Sequence, residues 1–305
     1  AVERLIAEHH IADLVDLLDA TPAPNASRAP LRADVAPLWV RVTSPDIVRQ
    51  LAAAEPPDFV TLDRLLPRLH VDAFEPLLDV LGTSESRTTR RGLLDRLTRA
   101  PRELGPIIAA RLERDIPWFV TRNLLLILDG LPALPDGFSA AKFINHEDAR
   151  VRRQAVKLAL KVPAEREPAL IGALRDDDPR TIRFALSAAL DDCPQLVVPL
   201  ITQIALDQAM SSELRVLAIK VLGRVRNPAA LSTLLQLVDG GKNWLGRPKL
   251  ASRSLELLAA LMALAAGWRN DAKVSPLLAL ATRSKDPDVR SAVGRAPRTT
   301  AGLKR

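Results

Sequence analysis

One short pattern recurs along this chain, and that recurrence constrains its fold more than any other feature. Asp148-Ala-Arg-Val-Arg152, Pro179-Arg-Thr-Ile-Arg183, Ser212-Glu-Leu-Arg215 and Asp286-Pro-Asp-Val-Arg290 each set an apolar residue before an Arg. Apolar residues then follow three, four and seven positions on: Ala155, Val156 and Ala159 after Arg152, and Ala218, Ile219 and Leu222 after Arg215. That spacing is one face of an α-helix. Phe119-Val-Thr121, Thr89-Arg90 and Phe59-Val-Thr61 extend the column upstream. Positions 61, 90, 121, 152, 183 and 215 lie 29, 31, 31, 31 and 32 residues apart. The next step, from 215 to 290, is 75 residues, room for two repeats and an inserted loop at 240–249.

Shorter apolar stretches alternate with the column: Phe74–Leu81, Leu104–Leu112, Ala140–Ile144, Pro168–Leu174, Leu196–Leu206, Ala229–Val238 and Val274–Ala281. Each repeat therefore reads as a first helix, a tight turn, and a second helix carrying the column. The turns hold Asp, Ser, Asn or Pro, as in Asp176-Asp-Asp-Pro179 and Lys285-Asp-Pro287. Such residues begin helices, by side-chain capping or by a pre-set first turn. A lone helical pair cannot hide its apolar stripe, whereas stacked neighbours share one continuous core. Composition agrees: 48% hydrophobic residues but only 3% aromatic, with no Tyr.

This signature resembles the HEAT repeat, including the phycobilisome-lyase HEAT-like variety. The resemblance covers roughly 44–296 and is clearest over 146–227 and 285–292. It implies an all-α, right-handed α-solenoid of about seven or eight helical hairpins, classed as armadillo-like. It further implies a polar ladder between repeats built from Asp148, Arg152, Asp178, Arg183, Arg215, Asp286 and Arg290. Thr61 and Thr121 stand where the ladder Arg would be, a departure confined to the first half. Residues 1–43 are expected to form a degenerate cap, with one helix over Ala1–Ala20, a Pro-rich loop from Thr21 to Ser27 and a further helix over Leu31–Val42. The basic tail, 297–305, is expected to be disordered.

Charge is unevenly shared. Residues 1–145 hold 17 basic and 20 acidic side chains, and 146–305 hold 26 and 16, an excess of ten cations in the second half. Arg outnumbers Lys 34 to nine, and with abundant Ala and Pro this is the composition of a GC-rich, bacterial genome. An acidic partner is one expectation from that balance. Positions pointing away from the core in the basic half include Arg153, Lys157, Lys220 and Arg224. A second candidate contact lies in the inserted loop, where Trp244 and Arg247 sit among glycines and further cations. Trp244 either anchors a partner or folds back over the gap between repeats.

Chemistry has little to build on. The four histidines are His9, His10, His70 and His146, and only the adjacent His9-His10 pair has metal-binding proximity. HEAT-like deoxyhypusine hydroxylases use several His-Glu pairs to hold two irons; this sequence has one, His146-Glu147. Alkylpurine DNA glycosylases are also built on HEAT-like repeats, and Trp118, Asp115 and Arg122 are the nearest counterparts of their aromatic, Asp and Arg. A lone Cys193 excludes an internal disulfide and suits a reducing compartment. No phosphate-cradling glycine motif occurs. The expectation is a cytoplasmic, non-catalytic scaffold for a protein partner, possible acidity included, on the concave face lined by the column helices. No cofactor, metal, small-molecule substrate or membrane span is expected, and nucleic-acid binding through the basic half is the alternative.

Overall fold

Helices start where the sequence supplies an oxygen for the first turn. Asp58, Ser86, Asp148, Asp178, Ser211, Asn227 and Ser254 each accept a backbone N–H from the helix that follows. Those amides have no partner within the helix, so each cap satisfies an otherwise orphaned donor. The structure, a computed structural model, describes residues 2–8, 10–20, 29–242, 244 and 246–294. The loop expected at Thr21–Ser27 and the tail expected at 297–305 lie outside the described residues, as does His9. Among the described residues are eighteen α-helices and one two-stranded sheet, in two compact units, Ala1–Phe138 and Ser139–Arg305.

The first unit contains α1 (Val2–Ala7), α2 (Ile11–Asp19), α3 (Ala29–Val42), α4 (Pro45–Ala53), α5 (Phe59–Leu65), α6 (Glu75–Thr83), α7 (Arg87–Leu97), α8 (Leu104–Leu112) and α9 (Trp118–Gly130). Helix α4 packs on α5 and α6, α6 on α7, and α9 on both α7 and α8. One expectation is corrected here: residues 1–20 are two helices, not one. Ile11, Leu14, Val15 and Leu18 share a buried face of α2. At 100° per residue an unbroken helix would turn Ile6 to the opposite side. The break after Ala7 lets Ile6 join the same buried cluster.

The second unit contains α10 (Ala149–Ala159), α11 (Pro163–Leu174), α12 (Pro179–Asp191), α13 (Val198–Leu206), α14 (Ser212–Arg224), α15 (Pro228–Val238), β1 (Asp239–Lys242), β2 (Pro248–Leu250), α16 (Leu255–Gly267), α17 (Ser275–Thr282) and α18 (Pro287–Gly294). The helices that carry the column stack in order, α10 on α12, α12 on α14, α14 on α16 and α16 on α18. Helix α16 supplies the column helix missing between Arg215 and Arg290. The helix expected at Ala140–Ile144 is only a 3-10 turn, Ala140–Phe143. Ala140 is its one buried residue, too little apolar surface to hold two α-helical turns in place.

The core is aliphatic: Val151, Leu170, Leu186, Ile201, Ile219, Leu222 and Leu264 are all buried, and Phe74 is the single buried aromatic among the described residues. Burial of such side chains, at roughly 25 cal/mol per Å² of apolar surface, is what makes the stack favourable. The inserted segment is not an irregular loop but an antiparallel hairpin, with Asp239 opposite Leu250 and Lys242 opposite Pro248 across a bulge. Gly240 is required there, because a Cβ would lie 2.2 Å from the Leu250 carbonyl oxygen. Gly241 takes φ +77°, a conformation that side-chain-bearing residues rarely adopt.

Candidate functional site

In the second unit the N-terminal ends of the column helices carry a ladder of arginines. Arg152 binds Asp176 through Nε and Nη2 at 2.8 and 2.7 Å, and reaches Asp177 at 2.6 Å. Arg183 pairs with Glu213 in the first turn of α14. Arg215 binds Glu256, in the first turn of α16, at 3.0 and 2.5 Å. Arg253 continues the row to Asp286 at 3.0 Å and to Asp288. Each step joins one repeat to the next.

Arg152, and with it Arg290 and, in the first unit, Arg90, also holds the turn before its own helix. Arg152 donates to the His146 and Glu147 carbonyls, Arg90 to those of Ser84 and Glu85, and Arg290 to those of Ser284 and Lys285. In all three the acceptors lie six and five residues back, so the spacing of the motif fixes the turn. Asp148 and Asp178 take a different part. They cap α10 and α12, Asp148 pairing with Arg150 and Asp178 with Arg153 at 3.1 Å. Asp286 accepts the backbone N–H of Asp288 and Val289.

Electrostatics follow these partners. The Arg150 guanidinium holds the Asp148 carboxyl at about 2, burial opposing it. Burial pushes the Glu256 carboxyl upward, but hydrogen bonds from Arg215, Ser212 and Ser254 outweigh it and bring it to about 2. Sequence reasoning missed Glu213, Glu256 and Arg253. For the two glutamates the signal was an acid within the first turn of α14 and of α16, beside a capping Ser, as Asp288 stands in the first turn of α18.

A second group of arginines, of which sequence reasoning named only Arg224 and that as an outward contact, closes helix C-termini. Arg166 donates to the carbonyls of Ala188 and Asp192, and Arg224 to that of Leu190, all at the end of α12. Arg226 donates to Gly267 at the end of α16, and Arg269 to Val293 in α18. The last carbonyls of a helix lack intrahelical donors and carry partial negative charge. Four arginines of the second half are thus directed at backbone oxygen.

These contacts sort the outward positions. Arg153 and Arg224 are engaged with Asp178 and the Leu190 carbonyl, and Lys157 and Lys220 lie exposed on α10 and α14. Trp244, at the hairpin turn, is 91% exposed, and Arg247 is exposed beside it. Trp244 does not fold back over the repeats.

The residues considered for chemistry are dispersed. His146 Nδ1 accepts the Asp148 backbone N–H, and His70 and His10 are exposed beside Asp72 and Asp13. Trp118 is half-buried edge-on to Phe119, Arg122 donates to Asn123, and Asp115 is exposed. The Cys193 thiol is half-buried, and burial pushes it up to about 11, away from nucleophilic ionisation. Among the described residues no group of three or more His, Cys, Asp or Glu is placed to hold a metal ion. No helix among them is long and apolar enough to cross a membrane.

Clefts walled by described residues include the following two. One, ≈ 760 Å³ in the first unit, is lined by Leu66, His70, Phe74 and an Arg96 gripped by Asp63 at two 2.7 Å contacts. The other, ≈ 480 Å³ in the second unit, lies beside the hairpin against α15 and α17.

No protein-family model and no curated relative matches the sequence. Solved structures do match. A chain from a complex of Kap95p with RanGDP, described for nuclear import complex assembly, superposes with TM-score 0.52 over 94% of this chain at 13% identity. This chain spans 46% of that one. YibA of Escherichia coli gives TM-score 0.48 at 14% identity, over 91% of this chain and 100% of its own. A designed armadillo repeat protein gives 0.35 at 17% identity, over 72% and 96%. The paired helices, their stacked column and the superposition with the Kap95p complex agree: by fold, this chain is a HEAT/armadillo-like repeat α-solenoid.

Proposed function

We propose that this protein is a non-catalytic scaffold that holds a partner protein along the exposed faces of its column helices. The observation that carries this reading is the ordered stack of α10, α12, α14, α16 and α18, tied repeat to repeat by Arg152, Arg183, Arg215 and Arg253. Such a stack presents a long, rigid surface whose side chains keep fixed spacings, which suits recognition of an extended partner. The similar fold in the Kap95p complex engages a protein, RanGDP, and supports the same class of role. Lys157 and Lys220 are the candidate contacts on the helices, with Arg153 and Arg224 as supports already engaged at the same face. Trp244 and Arg247 extend the surface onto the hairpin. A cytoplasmic setting is part of this reading.

Nucleic-acid binding is the competing outcome of the test. Arg166, Arg224, Arg226 and Arg269 point at helix-end carbonyls rather than into an open groove, which weighs against a phosphate track. Affinity capture with the full chain, followed by cross-link mapping, decides. The expected result is a protein cross-linked to the column helices and lost in Lys157→Glu/Lys220→Glu. Retention of duplex nucleic acid alone, falling steeply with added salt, would replace this reading with the phosphate one.

A further inference from the structure

The hairpin β1–β2 lengthens one repeat of the second unit, and it carries a side chain that the fold leaves in solvent. Trp244 is 91% exposed at its turn, the most exposed of the large hydrophobics. Leaving an indole in water forgoes one of the largest apolar burials available to a side chain. Gly240, Gly241 and Gly246 fix the backbone beneath it, two of them at positive φ. The turn is therefore shaped, and Trp244 is held out on it.

Beside this turn lies the ≈ 480 Å³ cleft, between the hairpin and helices α15 and α17. Leu235, Leu277, Pro248 and Pro276 give it apolar walls, while Lys242 and Lys273 stand on its rim. Lys249 is exposed on the same hairpin. The single carboxylate lining the cleft, Asp239, is turned into its own hairpin, where it accepts the Gly241 backbone N–H at 2.7 Å. Its charge offsets only part of the lysines'. The result is an apolar slot with a cationic rim, and Trp244 stands two residues along the hairpin from Lys242 of that rim; the slot's size takes a few residues of extended chain.

We infer that this slot and Trp244 together bind an acidic segment of a partner protein, its apolar side chains seated against Leu235 and Leu277 and its carboxylates facing Lys242 and Lys273. Charge complementarity selects the partner: carboxylates meet lysines, and the apolar walls need side chains that a phosphate backbone lacks. A flat lipid surface would meet Trp244 but would not fill a slot walled by α15 and α17. This inference rests on the protein-scaffold reading and places one of its contacts.

The test titrates the full chain with a fluorescein-labelled eight-residue peptide of alternating Glu and Leu. Its Lys–Leu counterpart, a duplex oligonucleotide and phosphatidylserine vesicles serve as rivals. The acidic peptide is expected to bind saturably, to weaken with salt, and to outcompete the Lys–Leu peptide. Trp244→Ala and Lys242→Glu/Lys273→Glu should each weaken it at least about tenfold, the range of an interface anchor. Arg180→Glu, exposed on α12, should leave it unchanged. Because Trp244 and both lysines are exposed, these variants fold as the parent does. Absence of saturation by about 1 mM peptide, or affinity unmoved by the hairpin variants, overturns the inference. So does Trp244-dependent binding of vesicles or oligonucleotide in the peptide's place. A captured protein partner retained in full by Trp244→Ala would sink this inference while leaving the scaffold reading intact.

Discussion

At the scale of single residues, arginine organises the second unit. A guanidinium offers five N–H donors in a rigid fork, enough to meet a carboxylate and two carbonyls at once, as Arg152 does with Asp176, His146 and Glu147. Lysine has neither the fork nor the reach. The Arg215–Glu256 pair is one of the two most sheltered steps, its side chains only 14% and 12% exposed, with Arg152–Asp176 the other. Removing one partner strands the other, so Glu256→Ala should destabilise the second unit by about 3 kcal/mol, measured by urea denaturation. A loss below about 1 kcal/mol would mean that the ladder is ornament. Acid titration tests the same pair. Glu256 has a carboxyl near 2 in the folded chain against an ordinary value of 4.5, and Asp148 near 2 against 3.8. The unfolded chain therefore binds more protons between about pH 4.5 and 2. Their stabilisation is complete above that window and is lost as pH falls through it. Thermal scans from pH 6 to pH 2.5 should show Glu256→Gln less acid-sensitive than the parent.

At the scale of elements, close approach decides which helices meet. On α14, a Cβ at Gly223 would lie 2.7 Å from that of Ala263 on α16, so the two helices touch through the glycine. Gly223→Leu should therefore cost about 2 kcal/mol by overpacking, read as a lower urea midpoint, with the far-UV helical signal kept. In the first unit Phe59 lies over Gly92, where a Cβ would fall 2.4 Å from its ring, and Arg96 stacks on that ring at 4.0 Å. That contact explains why Thr61 tolerates the missing Arg. The repeat there is joined by Arg96 and Asp63 instead. The period of the column was readable, but which arginine closes each step depends on which face meets which, and no spacing states that.

At the scale of the whole molecule, a repeat stack has stability set mainly by contacts between neighbours. Among the described residues, α14 and α16 are each flanked within their unit by column helices on both sides, whereas α16 is the one column helix that α18 packs against. Hydrogen exchange should accordingly be slowest in α14 and α16 and markedly faster in α18. Equal protection across the three would indicate all-or-none unfolding instead. The same neighbour logic explains the charge. A balance of ten excess cations in 146–305 suggested an external acidic partner, yet helix-end carbonyls, which carry no formal charge and do not figure in any sequence tally, take up several of them. The chain by itself determined the all-helical repeat, the boundaries of most helices and the place of the insertion, because periodic burial and capping are local properties. Tertiary structure alone decided that Arg153 and Arg224 serve the stack, that residues 1–20 break in two, and that Trp244 stands in solvent. Each of those depends on the distance between residues far apart in sequence, which only packing sets.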